Sequence, residues 1–229
     1  MKIHRFYTGD VVELKHDFWV HDEALLWQWN RVLRLKEGRE IVLFDGKSED
    51  RLYKIKSISN KEAHLNLITE FELKIPKTHV YLFWSLIKSD KNNLVIQKCT
   101  ELGVTNFVPI ISERSVKTGF NMAKAEKIAV EESEQCGRST IPHIREPIHI
   151  NELLGEYGDD MKLLVCHFGH SELEEIKKDE KIGIIVGPEG GFTDEEVATL
   201  VSGGASILEL GQMTLRAETA SIVAVSKFL

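Results

Sequence analysis

The sequence predicts a two-domain α/β protein: a small β-barrel over residues 1–73, then an α/β domain on a parallel sheet over residues 74–229. Three observations predict it. The first part carries short strands of alternating polarity closed by turn signals. After Pro76 the pattern changes to continuous apolar runs that alternate with helical segments. The length of 229 residues is also comfortable for one small and one ordinary domain.

In the first domain, residues 39–44 are an apolar-rich run that ends on Asp45-Gly46, a strong turn signal. Residues 51–58 alternate, with Leu52, Tyr53, Ile55 and Ile58 apolar. Residues 62–73 repeat the pattern with Leu65, Leu67, Phe71 and Leu73. Strands of this length and spacing suit a small barrel. One helical stretch, residues 23–35, interrupts them, with Leu26, Trp29 and Leu33 at helical spacing. Lys74-Ile75-Pro76-Lys77 reads as the linker, because proline disfavours helix before it and cannot donate to a sheet.

In the second domain, residues 80–87 are a continuous apolar run, the mark of a strand covered on both faces. Residues 91–102 have helical spacing through Leu94, Val95, Cys99 and Leu102, and Gly103 suits the C-terminal cap. Residues 106–111 form another buried strand, and residues 121–136 a long helix with Asn121 as N-cap. Residues 161–166 and 182–186 are further buried strands. Thr193 and Glu196 form a capping box at the start of a helix. Residues 207–210 are a last strand and 217–228 a last helix. Strands alternating with helices give a parallel sheet.

Composition narrows the class. With 42% hydrophobic and 28% charged residues, the chain is not disordered. No apolar stretch reaches the roughly 18 residues of a membrane span. The opening residues lead into no signal-peptide core. Cys99, Cys136 and Cys166 are odd in number and far apart, which fits reduced thiols in a cytoplasm. The nine histidines contain no HxxxH or HxH pair, so no metal is expected. The adjacent Cys166 and His167 should point to opposite faces of a strand. Trp27 and Trp29 could stack on bases, though a core role is the plainer reading.

The net charge of −7 argues against a generic nucleic-acid binder. Yet Lys88, Lys91, Lys98, Arg114, Lys117, Arg138 and Arg145 recur between residues 88 and 145. Glu172, Glu174, Glu175, Asp179 and Glu180 gather elsewhere. One basic face on an otherwise acidic chain is compatible with that sum.

Two segments stand out for chemistry. Residues 186–192, VGPEGGF, follow a buried strand and precede a helix, where open α/β sheets bind ligands. Its three glycines let a ligand approach the backbone closely. The loop has neither the lysine of a Walker A motif nor GxGxxG spacing, and a plain tight turn remains open. Residues 210–220, LGQMTLRAETA, also run from strand through loop into helix. Glu218 at that helix start is favoured by the helix dipole, whereas Arg216 is not, which hints at a use for it. Residues 97–103 form a third segment with residues 112–115, and the latter follow a buried strand and so lie at the same sheet edge. Arg138, after residues 134–137, has a sufficient structural reason at a helix C-terminus.

Together these segments resemble the SPOUT methyltransferases, and more narrowly the family of 16S ribosomal RNA uridine-N3 methyltransferases. The matching pieces run in family order: His4-Arg5-Phe6, residues 88–91, 97–103, 112–115, 134–138, 187–192 and 210–220. The match spans nearly the whole chain, and GPEGGF combined with LGxxxLRAETA is highly specific. Cys136 stands where the family more often has serine. Gln212-Met213-Thr214 replaces a segment that often carries a basic residue and an isoleucine.

The resemblance implies a PUA-like β-barrel that helps bind RNA, followed by a SPOUT domain with a deep trefoil knot. It implies that S-adenosylmethionine sits against Gly187, Gly190 and Gly191 and against Leu210, Gly211, Met213 and Leu215, with His167 and Phe168 closing the adenine pocket. It implies a homodimer acting in the cytoplasm on 16S ribosomal RNA within the small ribosomal subunit, uridine 1498 being the family's target. Uridine N3 carries a proton at neutral pH, so a general base or a cation that stabilises the uridine anion is required. Arg216 is the favoured catalytic residue, with Glu189 and Glu218 as candidate bases. Arg5, Lys88, Lys91, Arg114 and Arg138 are the candidate RNA contacts. The glycine loops also fit action on transfer RNA or a ribose hydroxyl, although the barrel and residues 97–103 favour ribosomal RNA. An inactive RNA-binding or assembly factor would show damaged cofactor loops, and these are intact. A small-molecule nucleotide enzyme would bind a dinucleotide or ATP with no dependence on ribosomal subunits.

Overall fold

The structure is a computed structural model and describes residues 3–10, 12–115, 119–169 and 181–228. Lys117 and the acidic group at 172–180 lie outside the described residues. The chain divides into two compact units, residues 1–75 with 133–141 and residues 76–132 with 142–229. The sequence boundary between 73 and 74 lies beside the first of these junctions.

The first unit is a five-stranded sheet in the order β1-β3-β4-β5-β2. Its strands are β1 (His4–Tyr7), β2 (Asp17–Val20), β3 (Glu40–Phe44), β4 (Asp50–Ile58) and β5 (Ala63–Phe71). β1 runs parallel to β3, and the other pairs are antiparallel. Alternation sends Ile41 and Leu43, then Tyr53 and Ile55, into a core around Phe6 and Trp29. β3, β4 and β5 match the expected strands. β1 and β2 were not foreseen, because four residues of mixed polarity show no readable period and their partners are remote in sequence.

The expected helix over 23–35 is instead a short helix, α1 (Glu23–Trp27), that widens into a π-helical turn (Gln28–Val32). Asp22 caps its start. The widening is visible in the Leu33 N–H bond to the Gln28 carbonyl at 3.0 Å. Asn30 helps to set the turn by donating to both the Leu26 and the Ser59 carbonyls, each at 2.9 Å. The bulky Trp29 is fully buried there.

A buried polar knot ties residues 133–141 to this sheet. Arg5 Nη2 lies 2.8 Å from Asp50 Oδ2, and Ser139 Oγ donates to the same oxygen at 3.0 Å. Arg5 also donates to the Arg138 carbonyl at 3.2 Å and sits 4.8 Å from the centre of the Phe44 ring. The Tyr7 N–H donates to Glu134 Oε1 at 2.8 Å. Ser139 exchanges two bonds of 2.8 Å with the Lys74 backbone. Arg138 is buried, and burial lowers its pKa to about 10. Both Arg5 and Arg138, read from the sequence as RNA contacts, are thus held inside the unit.

The second unit is built on β6 (His79–Ser85), β7 (Asn106–Ile111), β8 (His143–Ile144), β9 (Ile148–His149), β10 (Lys162–Cys166), β11 (Lys181–Val186) and β12 (Ser206–Leu208). They form one sheet in the order β12-β10-β11-β6-β7-β8, with β9 also on β7. Every pair is parallel, as expected. The helices are α2 (Ser89–Glu101), α3 (Met122–Cys136), α4 (Ile150–Tyr157), α5 (Asp194–Ser202) and α6 (Ala217–Ser226). α4 and the two-residue strands β8 and β9 were not foreseen.

The predicted caps are present. Gly103 takes a left-handed φ of +89° after α2, and Lys124 N–H bonds Asn121 Oδ1 at 3.0 Å. Thr193 and Glu196 exchange bonds of 3.1 and 2.8 Å. Among the described residues, no helix is long and apolar enough to cross a membrane.

The Asp50 knot predicts a stability effect. Asp50→Ala leaves the Arg5 guanidinium, 15% exposed, without its anion. The expected loss is about 3–5 kcal/mol, read as a fall in melting temperature by calorimetry. A variant that melts like the wild type would remove the ion pair from the account of this unit.

Candidate functional site

Because β10, β11 and β12 run parallel, their carboxyl ends fall on one edge of the sheet. Val165 pairs with Ile185 and Cys166 with Leu208, so the three strands stop almost level. The loops that leave them, 167–169, 187–193 and 209–216, therefore surround a single cleft. Ligands of open α/β sheets bind at this edge. The cleft is open to solvent, with a cavity volume of about 190 Å³. Its walls are mostly apolar with a few polar groups, the character of sites that take small organic ligands. Among the described residues, no group of three His, Cys, Asp or Glu is placed to hold a metal.

Each loop contributes its own chemistry. From the β11 loop come Gly187, Pro188, Glu189 and Gly191, with Phe192 packed behind them. A Cβ on Gly187 would lie 3.3 Å from the Phe192 ring, so the backbone wall here has no room for a side chain. Gly191 holds φ at +67°, a conformation that strains other residues. From the β12 loop come Leu210, Gly211, Met213, Thr214 and Leu215. From the β10 end come Cys166, His167 and Phe168. The first turn of α6 closes the floor with Ala217 and Ala220, one turn apart.

Most of the predicted cofactor positions line this cleft: His167, Phe168, Gly187, Gly191, Leu210, Gly211, Met213 and Leu215. Gly190 is not part of the lining; its carbonyl faces Arg114. Cys166 and His167 both reach the cleft, contrary to the opposite-face expectation, because β10 ends at Cys166 and strand alternation stops there. Burial pushes the Cys166 thiol up to about 12, so it is neutral and no nucleophile at physiological pH. His167 turns its ring to the chain, with Nδ1 2.7 Å from the Phe168 carbonyl. Sequence reading missed Phe192, Leu208, Ala217 and Ala220 as cleft residues. An i, i+3 pair of alanines was the available signal for a helix end approached closely.

The catalytic candidates separate. Glu189 lines the cleft. Arg216 is the exposed N-cap residue of α6, between Leu215 and Ala217, and has no ion pair among the described residues. Glu218 lies outside the lining, buried, with Oε1 2.8 Å from Lys91 Nζ. The hydrogen bond from Lys91 holds its carboxyl below the usual glutamate range. Lys91, a predicted RNA contact, is thereby committed to an α2–α6 ion pair, whereas Lys88 is exposed at the N-cap of α2.

Arg114 has an unforeseen place. Its Nη1 donates to the carbonyls of Gly190 at 2.8 Å and Phe192 at 3.4 Å. The neighbouring Glu113 N–H donates to Glu196 Oε1 at 2.8 Å. Within its own turn, Ser112 N–H donates to Ser115 Oγ at 2.9 Å. The loop after β7 is thus a brace for the glycine loop, and Arg114 fixes which way its carbonyls turn.

Residues 74–229 match the RNA methyltransferase domain family, and residues 31–68 match the RNA methyltransferase PUA domain. The ribosomal RNA small subunit methyltransferase E of Rickettsia conorii is 31% identical, over 99% of this chain and 95% of its own length. That of Bacillus subtilis is 32% identical, over 85% of this chain and 83% of its own. A crystal structure of the Neisseria gonorrhoeae ribosomal RNA small subunit methyltransferase E, bound to S-adenosyl methionine, superposes with a TM-score of 0.88 at 28% identity. The superposition covers 99% of this chain and 96% of that one.

Two predictions come from this geometry. Arg114→Ala should weaken cofactor binding about 5- to 10-fold in calorimetric titration, the loss of one charge-assisted hydrogen bond acting through the loop. An unchanged affinity would reduce Arg114 to a surface cation. Glu218 titrates below its ordinary value near 4.5. Its stabilisation is therefore complete above that value and fades as pH falls through the lower folded one. Glu218→Gln should cost about 1–3 kcal/mol at pH 7 by leaving Lys91 unpaired. The gap to wild type should close in thermal melts as pH falls below the ordinary glutamate value and through the lower folded one.

Proposed function

The chain belongs to the RNA methyltransferase family, and on that premise we propose that it transfers a methyl group from S-adenosylmethionine to the RNA of the small ribosomal subunit. The observation that carries this is the cleft itself: two glycine-bearing loops and an apolar strand end meet around one open groove at the sheet edge. We further propose that the product is 3-methyluridine in 16S ribosomal RNA, at the position the resemblance implies, uridine 1498.

The residues fit the cofactor. Gly187 and Gly191 would admit it against bare backbone, and Leu208, Leu210 and Phe168 offer apolar cover for an adenine. When bound, the sulfonium supplies an electrophilic methyl group, and the protein supplies orientation and charge. The crossing of α6 supports a knotted SPOUT arrangement. β12 is at the edge of the sheet, yet α6 packs on α2, β6 and β11, so residues 209–216 pass across the ends of β10 and β11.

The proton on uridine N3 has to leave as the new bond forms. Glu189, in the cleft wall, is better placed to accept it than Glu218, which is buried against Lys91. Arg216, exposed beside the cleft and without an ion pair among the described residues, would stabilise negative charge on the uracil carbonyls. Lys88 remains available to phosphate. Arg5, Lys91 and Arg138 already have structural partners, so their contribution to RNA is indirect. We propose a homodimer: Met213 and Phe168 at the cleft are 77% and 54% exposed, apolar surface that a second copy would cover. The site of action would be the cytoplasm, where small subunits are found.

The test is transfer of labelled methyl to small subunits lacking the modification, followed by nucleoside analysis. 3-Methyluridine is expected from the wild type. Arg216→Ala should lose turnover by at least about 100-fold while binding cofactor normally, the scale for removing one transition-state donor. A different methylated nucleoside would move the target. No incorporation at all would overturn the function, and near-normal turnover in the variant would remove Arg216 from it.

A further inference from the structure

The face formed by α1 and the π-helical turn carries features that the fold of its own unit does not use. Trp27 and Val32 are 63% and 54% exposed, although Trp29 between them is fully buried. Arg31 follows Trp27 at i+4, the spacing that keeps two residues on one face of a helix. Arg31, Arg34 and Lys36 are all exposed, and no side-chain bond or ion pair joins them to other described residues.

The backbone adds a second observation. Arg34 takes a φ of +52°, and no other non-glycine residue among those described has a positive φ. It stands at the position after the helix end. There Leu35 N–H closes back onto the Trp29 carbonyl at 2.8 Å, one residue wider than the closing bond of a Schellman cap, in keeping with the π-helical ladder before it. Glycine takes that position with least strain. A helix C-terminus favours a cation nearby. That accounts for one charge, but not for arginine in the strained place or for an indole left in water. π-helical turns of this kind are frequent at functional sites.

We propose that Trp27, Arg31 and Arg34 form a binding surface for single-stranded RNA. The indole of Trp27 stacks on a nucleobase, and the arginines, with Lys36, take the flanking phosphates. An unpaired base has two apolar faces that a solvent-exposed indole can cover, and aromatic side chains interleaved with cations are how single strands are held. Charge favours this occupant: three successive cations lie within residues 31–36 of a chain whose net charge is −7. This surface deepens the ribosomal RNA reading and rests on it.

The experiment measures binding and methylation of small subunits, and binding of 16S ribosomal RNA free of protein, by the full chain. Trp27→Ala should raise Kd for both RNAs, and KM for small subunits, about 5- to 150-fold, the range for deleting a base-stacking aromatic. kcat at saturating subunits, cofactor affinity and melting temperature should be unchanged. Trp27→Phe should restore most of the loss. The double variant Arg31→Ala, Arg34→Ala should flatten the salt dependence of binding by about 1.4 in log–log slope. Values for Trp27→Ala within twofold of the wild type would overturn the proposal. So would a Phe variant as weak as the Ala variant. A loss seen with subunits but not with free RNA would assign the face to a ribosomal protein and overturn it as well. A wild type that neither binds nor methylates subunits would instead overturn the RNA reading, before any variant is compared.

Discussion

Everything at the cleft depends on the parallel pairing of β10 with its neighbours β11 and β12. Parallel strands share a direction, so their carboxyl ends must lie on the same edge. The register then sets how level those ends are: Val165 faces Ile185, and Cys166 faces Leu208. A slip of one residue would turn Ile184 and Val165 to the wrong faces, which the buried sheet forbids. The core around Phe83, Val108, Leu163 and Ile185 therefore determines more than stability. By fixing the register it fixes the height of three loops, and so the shape of the site.

On that base, polar contacts fine-tune the loops. Arg114 and Glu113 clasp the glycine loop from the β7 side, through the Gly190 carbonyl and the Glu196 carboxylate. Lys91 clasps the start of α6 through Glu218. Both are ion- or charge-assisted contacts made by residues next to the cleft and not in its lining. Glu189 lines the cleft and Arg216 is exposed at the N-cap of α6 beside it. The first unit follows the same economy: Arg5 and Asp50 are used to seat residues 133–141 against the sheet, while Arg31, Arg34 and Lys36 on and after the π-helical turn stay exposed.

Much of the fold was legible because its signals are local. Continuous apolar runs marked β6, β7, β10 and β11, and capping chemistry marked the starts of α3 and α5. Elements without a local signal were lost. β1 and β2 are four residues each and exist only because β3 and β5 receive them. The π-helical turn was read as ordinary helix, since nothing in the spacing of Leu26, Trp29 and Leu33 distinguishes an i+4 from an i+5 ladder. It is decided by Asn30 reaching Ser59, a contact across the unit.

The sequence by itself determined the two-part organisation, the parallel α/β character and the two loops, because periodicity and glycine placement are properties of neighbouring residues. It determined which residue types were present for chemistry, but not which of them are free. Arg5, Lys91, Arg114 and Arg138 read as available cations, and only tertiary structure showed each engaged: with Asp50, with Glu218, with two loop carbonyls, and in the buried seam beside Arg5. The reverse holds for Trp27, which reads as core and is exposed. Partnership is decided by residues far apart in the chain and brought within about 3 Å by the fold, and no local pattern encodes that distance.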